Sequence, residues 1–147
     1  MTTIDVSEPS PSEVPSDRIP PQDVAAEQSV LGAMLLSKDA IADVVETLRS
    51  DEFYRPAHQT IFEVITDLFA KGEPADLVTV SDRLGRSGDL GRIGGAAYLH
   101  TLSSSVPTAS SASYYADIVH AKSVLRGLVT AGTRIAQWGY AGEGEVD

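Results

Sequence analysis

Residues 111–138 read SASYYADIVHAKSVLRGLVTAGTRIAQW, and the fold follows from their rhythm. Tyr114, Ile118, Ala121, Leu125, Leu128, Gly132 and Ile135 recur in alternating steps of four and three, with no proline between them. Those steps bring all of them onto one face of an α-helix. Tyr115, Val119, Val129 and Ala136 widen the stripe on one side. At ~1.5 Å per residue the helix is roughly 40 Å long, more than a small domain is wide. Its far end is therefore expected to project from the body that carries its near end. An apolar stripe held away from a body needs a partner. The simpler alternative is a helix packed wholly inside its own domain. Beyond the stripe, Gly139, Gly142 and Gly144 suggest a turn, and Glu143, Glu145 and Asp147 are acids of the kind that gather at a helix N-terminus. Residues 109–147 are thus expected to be the first arm and the turn of a helical hairpin whose second arm lies beyond Asp147.

Working back from that helix, the rest of the chain spells a series of shorter ones. Asp23 is placed to cap a helix over 24–36, with Val24, Leu31, Met34 and Leu35 buried and Gly32 allowing another backbone to come close. Ser37 or Asp39 opens a second, short helix with Ile41, Val44, Val45 and Leu48 on its inner face. Phe53 and Tyr54 read as core plugs in the connection. Pro56 suits the first turn of a third helix that stops at Gly72. His58, Ile61, Phe62, Ile65, Leu68 and Phe69 line one of its faces, and with two of the three phenylalanines it is expected to be the centre of the core. Residues 76–80 could pass for a strand but read as an extended lead, with 79–82 as a capping box for a short helix to residue 86 with Leu84 inward. A fifth helix over 96–103 buries Leu99 and Leu102 beside Tyr98, and 103–110 form a loop around Pro107. The expected fold is all-α: a globular body over 18–108, built as a compact bundle of short helices, followed by a long projecting helix. Residues 1–17, with Pro9, Pro11, Pro15 and no aromatic side chain, are expected to be a disordered acidic tail.

The composition excludes several kinds of chemistry. Among 147 residues, 21 acids stand against 11 basic residues, a formal charge of −10. Such a surface repels phosphate backbones, so tight direct nucleic-acid binding is not expected. There is no cysteine, which excludes thiolate and disulfide chemistry and fits a cytoplasmic location. No apolar run approaches the ~20 residues that span a bilayer, so no membrane association is expected. None of Lys38, Lys71 and Lys122 ends a glycine-rich run ahead of Ser or Thr, so this stretch has no nucleotide phosphate loop. His58, His100 and His120 are scattered without metal-ligand spacing. His58, on the apolar face of the third helix, reads as a hydrogen-bonded core histidine, and His120, opposite the stripe, as solvated. Ser103, Ser104 and Ser105 read as loop. No catalytic, cofactor-binding or metal-ligating residue is therefore expected. Arg83, Arg86 and Arg92 surround a short helix and turn over 78–92, the local look of a helix-turn-helix unit. That makes a helical DNA-binding regulator the alternative function, with a solvated basic face as the simpler account of those arginines.

A set of short blocks resembles a known family. Pro20-Pro21-Gln22 and Ala26-Glu27-Gln28-Ser29-Val30-Leu31-Gly32 are similar to the opening of the bacterial DnaB-type replicative DNA helicases. Phe53-Tyr54 with His58 and Ile61-Phe62 follow in the family's order, then Glu73-Pro74-Ala75-Asp76-Leu77-Val78-Thr79. Gly94-Gly95 with Tyr98-Leu99, Val106-Pro107-Thr108-Ala109 and Tyr115-Ala116-Asp117-Ile118-Val119 complete the series. The resemblance covers 18–147 and is specific as an ordered set; residues 1–17 have no counterpart in it. It implies the family's N-terminal α-helical domain, which precedes a linker helix and a C-terminal RecA-like ATPase that uses ATP and Mg. It implies a non-catalytic collar in DNA replication. Helical hairpins would pair the domain with itself into dimers, a trimer of dimers in the full-length hexamer, and the collar would dock the C-terminal domain of primase. On that resemblance the oligomer interface is the stripe Tyr114, Ile118, Ala121, Leu125, Leu128, Gly132 and Ile135.

Overall fold

Local capping chemistry sets the helices. In the computed structural model, which describes residues 18–142, the Asp23 side chain accepts the Ala26 amide at 2.9 Å and opens α1, Val24–Leu36. Ser37 then acts twice. Its extended backbone stops α1, its amide donating to the Ala33 carbonyl, and its hydroxyl accepts the Ala40 amide to open α2, Lys38–Val45. A 3-10 turn, Ser50–Glu52, leads to α3, Pro56–Ala70, with proline in the first turn where its missing N–H costs nothing. Next come α4, Leu77–Ser87, and α5, Gly95–Ser105. A second 3-10 turn, Ala109–Ser111, feeds α6, Ala112–Ala141. The expected tail 1–17 and the expected acidic turn residues 143–147 lie outside the described residues.

The centre of the body is α1, not α3. Val30, Leu31, Ala33 and Met34 are at most 1% exposed, and α2, α3, α5 and α6 all pack against this one helix. The two phenylalanines of α3 suggested otherwise, yet Phe69 is only partly buried. Bulk is less decisive than thinness: Ala26, Gly32 and Ala33 make α1 narrow enough to be covered from every side. Gly32 shows this most directly. A Cβ placed there would stand 2.1 Å from the Leu102 carbonyl oxygen of α5.

Several boundaries and burials differ from expectation for identifiable reasons. Helix α4 begins at Leu77, not beyond Thr79, because Asp76 is the cap. Asp76 accepts the Val78 and Thr79 amides at 3.0 Å, while the Thr79 hydroxyl accepts the Asp76 amide at 2.9 Å. Ser103, Ser104 and Ser105 belong to the last turn of α5, where each hydroxyl donates to a carbonyl three or four residues back. Phe53 is buried, but Tyr54 lies at the surface, and Val45 is exposed on α2 while Leu48 is buried. Gly139 lies inside α6, and Gly142, in the left-handed conformation at φ 66°, ends it.

Two tests follow from this packing. Gly32→Ala forces α1 and α5 apart and is expected to lower unfolding free energy by about 1–3 kcal/mol or more, read from the denaturant midpoint. Donation chiefly by the Thr79 amide, helped by the Thr79 hydroxyl and the Val78 amide, holds the Asp76 carboxyl below its ordinary 3.8 despite some desolvation. A depressed folded value contributes stability above the unfolded value and loses it as pH falls through the folded one. Asp76→Ala is therefore expected to cost about 1 kcal/mol near neutral pH, with the difference from the native chain closing as pH is lowered below 3.8.

Candidate functional site: a buried acid–histidine–tyrosine clasp and an open helix face

Three helices meet at a polar cluster inside the core. Glu27 of α1 and His58 of α3 are 1% and 0% exposed. The His58 Nδ1 lies 2.7 Å from Glu27 Oε1, and its Nε2 lies 2.6 Å from the hydroxyl of Tyr98 on α5. The donors can run in one direction. Nδ1–H donates to the carboxylate, the Tyr98 hydroxyl donates to Nε2, and the phenol oxygen accepts from Gln28 Nε2 at 3.2 Å. The second carboxylate oxygen accepts the Tyr54 amide at 2.7 Å. Among the described residues, no buried side-chain polar atom lacks a partner. Phe53 closes the apolar side, its ring edge-on to His58 and tilted against Phe62.

The order acid, histidine, hydroxyl has the look of a nucleophilic triad, but its placement points to a structural role. The carboxylate and imidazole are sealed in, and the hydroxyl belongs to a phenol packed between α1 and α3. The cluster holds α1, α3 and α5 in register and pins the backbone at Tyr54. His58 is thus the hydrogen-bonded core histidine expected from its helix face. Its partner carboxylate lies 31 residues away in sequence, beyond the reach of any spacing rule. Nothing local marks Glu27 as a buried acid, and Tyr98 reads only as a neighbour of Leu99 and Leu102; the signal the two share is that each sits in one of the blocks that carry the family resemblance.

The other candidate is the outer face of α6. Ala112, Ala116 and Val119 are buried against the body, and Tyr115 packs beside them. From Gly127 to Gly142 every residue is exposed. The predicted stripe begins two residues after Ala112, about 200° around the helix at 100° per residue, and so faces away from the body. Tyr114 is 72% exposed, Leu128 64% and Ile135 63%. Ala121 and Gly132 are exposed as well, and Ile118 and Leu125 are partly open. Of the residues expected to widen the stripe, Val119 and Tyr115 instead serve the body, while Val129 and Ala136 stay open. Trp138 and Tyr140 extend the apolar surface toward the far end. His120 is not simply solvated: its Nδ1 pairs with Glu52 Oε1 at 2.5 Å.

The arginines of 78–92 are all matched by carboxylates. Arg83 meets Asp67 at 2.5 Å, Arg86 meets Asp82 at 3.1 Å, and Arg92 pairs with Asp89. Asp67 also takes Lys71, and the Arg83 and Lys71 contacts hold its carboxyl below the ordinary range. They balance local acids, as a solvated basic face would. Among the described residues, no group of His, Asp and Glu could hold a metal ion, and no helix is long and apolar enough to cross a membrane.

With this geometry in hand, comparison places the chain. The DnaB-like helicase N terminal domain family matches residues 19–121. The chain belongs to that family. DnaB-like relatives share most of its length: the replicative DNA helicase DnaB of Mycobacterium leprae is 68% identical over 125 residues, covering 85% of this chain. The crystal structure of the N-terminal domain of DnaB helicase from Mycobacterium tuberculosis superposes with a TM-score of 0.82 at 66% identity, covering 83% of this chain and 88% of that one. A structure of a DnaB-like replicative helicase and its interactions with primase matches at TM-score 0.68 and 27% identity, over 78% of this chain and 27% of that one. The chain spans only 21% of the length of the Mycobacterium leprae DnaB helicase.

The clasp yields a stability test. Glu27→Ala strands the His58 ring and the Tyr54 amide without an acceptor in a dry core. The expected loss is about 3 kcal/mol or more, since each buried unpaired polar group costs roughly 1–3 kcal/mol. Thermal unfolding followed by circular dichroism measures it.

Proposed function

We propose that this DnaB-like domain is the non-catalytic assembly collar of a replicative DNA helicase. It pairs with a second copy through the outer face of α6, and the paired helices help dock the C-terminal domain of primase. The parent helicase would supply ATP- and Mg-dependent chemistry from a separate ATPase domain, with the collar forming a trimer of dimers in the hexamer. The observation that carries this is the open stripe Tyr114, Ile118, Ala121, Leu125, Leu128, Gly132 and Ile135 on a helix that outruns its own body. A lone helix in water is only marginally stable, and an amphipathic one gains most of its stability from what covers its apolar face. A second copy supplies the same stripe with matching spacing, and a two-fold arrangement makes the contact closed and self-complementary. The relative solved with attention to its primase interactions supports the docking role.

The test uses the chain and its Leu128→Asp variant. Sedimentation is expected to show concentration-dependent self-association of the native chain. The variant should associate roughly a hundredfold more weakly, because a charge placed in a desolvated apolar seam costs several kcal/mol. Its helical circular dichroism should be retained, since Leu128 touches none of the body's core. Calorimetry with the primase C-terminal domain should give binding to the domain extended by its second hairpin arm, a weaker signal from that extended domain carrying Leu128→Asp, and little or none from the present chain. A native chain that stays monomeric at every concentration, or a variant that unfolds, would overturn the pairing. Equal primase binding by all three would move the docking surface onto the globular helices.

A further inference from the structure

The point where α6 leaves the body is gripped by one side chain. Arg126 sits at the end of the partly buried portion of the helix; beyond it everything is exposed. One terminal nitrogen of its guanidinium donates to the Pro21 carbonyl at 2.9 Å, and the other donates to the Glu52 carbonyl at 2.6 Å. Its plane lies over the Tyr54 ring, 5.5 Å from the centroid. Two of these partners sit where the backbone has spare acceptors. Glu52 ends a 3-10 turn, so its carbonyl has no helical partner, and Pro21 lies at a bend in the non-helical lead ahead of α1. Less than two turns earlier, His120 holds the Glu52 side chain. Arg126 therefore ties the lead-in segment, the turn before α3 and the projecting helix to one another.

We infer that Arg126 is a positioning residue that fixes the angle at which α6 projects, and so the orientation in which the apolar stripe is offered to a partner. About 15 residues of α6 lie beyond it, a lever of roughly 22 Å, so a tilt of about 10° moves the far end by about 4 Å. That displacement approaches the spacing between side chains on neighbouring turns and would put the knobs of one stripe out of step with the holes of another. The grip needs arginine in particular. Its planar fork reaches two carbonyls while its face stacks on an aromatic ring, which a lysine ammonium cannot do at once.

The consequence for pairing rests on the proposed self-association, but the geometric claim can be tested apart from it. The chain has no cysteine, so Glu63→Cys on α3 and Thr133→Cys on α6 can carry a pair of spin labels. Their separation is measured by pulsed electron resonance in the Leu128→Asp background, where no partner steadies the helix. A narrow distribution is expected with Arg126, and a distribution at least twice as wide with Arg126→Ala. Arg126→Lys should widen it too, because charge without the fork does not restore the grip. Arg134→Ala, on the exposed arm, should leave it unchanged. With the stripe intact, Arg126→Ala should also weaken self-association about tenfold while leaving circular dichroism unaltered. A distribution equally narrow in Arg126→Ala, or already broad with Arg126 in place, would overturn the inference. Failure of self-association alone, with the widening still seen, would overturn the pairing and leave the grip standing.

Discussion

A carboxylate cannot be buried without donors, and Glu27 is buried almost completely. The donors that satisfy it come from places far apart in the chain: the His58 ring, the Tyr54 amide and, more distantly at 3.4 Å, the Arg55 amide. Burial without them would cost more than a small domain can spare, since the whole folded state is stable by only ~5–15 kcal/mol. The requirement therefore acts as a constraint on everything nearby. Helix α3 must start where His58 can reach α1, and Tyr54 and Arg55 must hold their amides toward Glu27. Helix α5 must bring Tyr98 to the other side of the imidazole. The Gly94–Gly95 pair, both at positive φ, turns the chain so that it can. Oriented polar contacts of this kind add direction to a core whose apolar contacts are non-directional.

The same loop that closes the clasp also receives the long helix. Tyr54 donates its amide to Glu27 and offers its ring to Arg126, while Glu52 gives its carbonyl to Arg126 and its carboxylate to His120. The base of α6 is thus keyed to the centre of the body through residues 52–54. Small side chains do the rest, since Ala112 and Ala116 let the first turns of α6 lie close to the body. The result is a helix with two histories along its length. Its first half is a core element, and its second half has no core to join.

Much of this was legible in sequence because it was local. Asp23 and Pro56 announce helix starts by chemistry that acts within three or four residues, and α1 and α3 begin where they indicate, while of the two candidates Ser37 and Asp39 it is Ser37 that caps α2. The four-and-three rhythm of α6 needs no tertiary knowledge, and it named the face that the body leaves open. Competing local signals were harder. Asp76 and Thr79 can both cap, and only the reciprocal hydrogen bonds show that Asp76 does so. What depended on distant neighbours was hidden. Nothing near Gly32 announces Leu102, nothing near His58 announces Glu27, and a sequence weighted by aromatic bulk pointed to α3 when the thin helix α1 held the centre.

The distribution of charge accords with the proposed role of α6 as a contact element. All 21 acids of this strongly negative chain lie outside 118–142, and that stretch carries only Lys122, Arg126 and Arg134 as fixed charges. Two bodies of net charge −10 repel one another. A carboxylate on the projecting helix would extend that repulsion into any seam it formed and would lose its hydration on contact. Beyond Asp117 the absence of carboxylates keeps both costs away from the rest of the stripe, while Arg126 is already engaged with the body's own carbonyls. Among the described residues, every acid except buried Glu27 and the exposed Asp117 near the start of α6 lies on the body's outer elements, and α6 beyond Asp117 carries none. An acidic body with an apolar arm that carries no acid beyond Asp117 is what repulsion and desolvation together favour for the proposed pairing of two copies along α6.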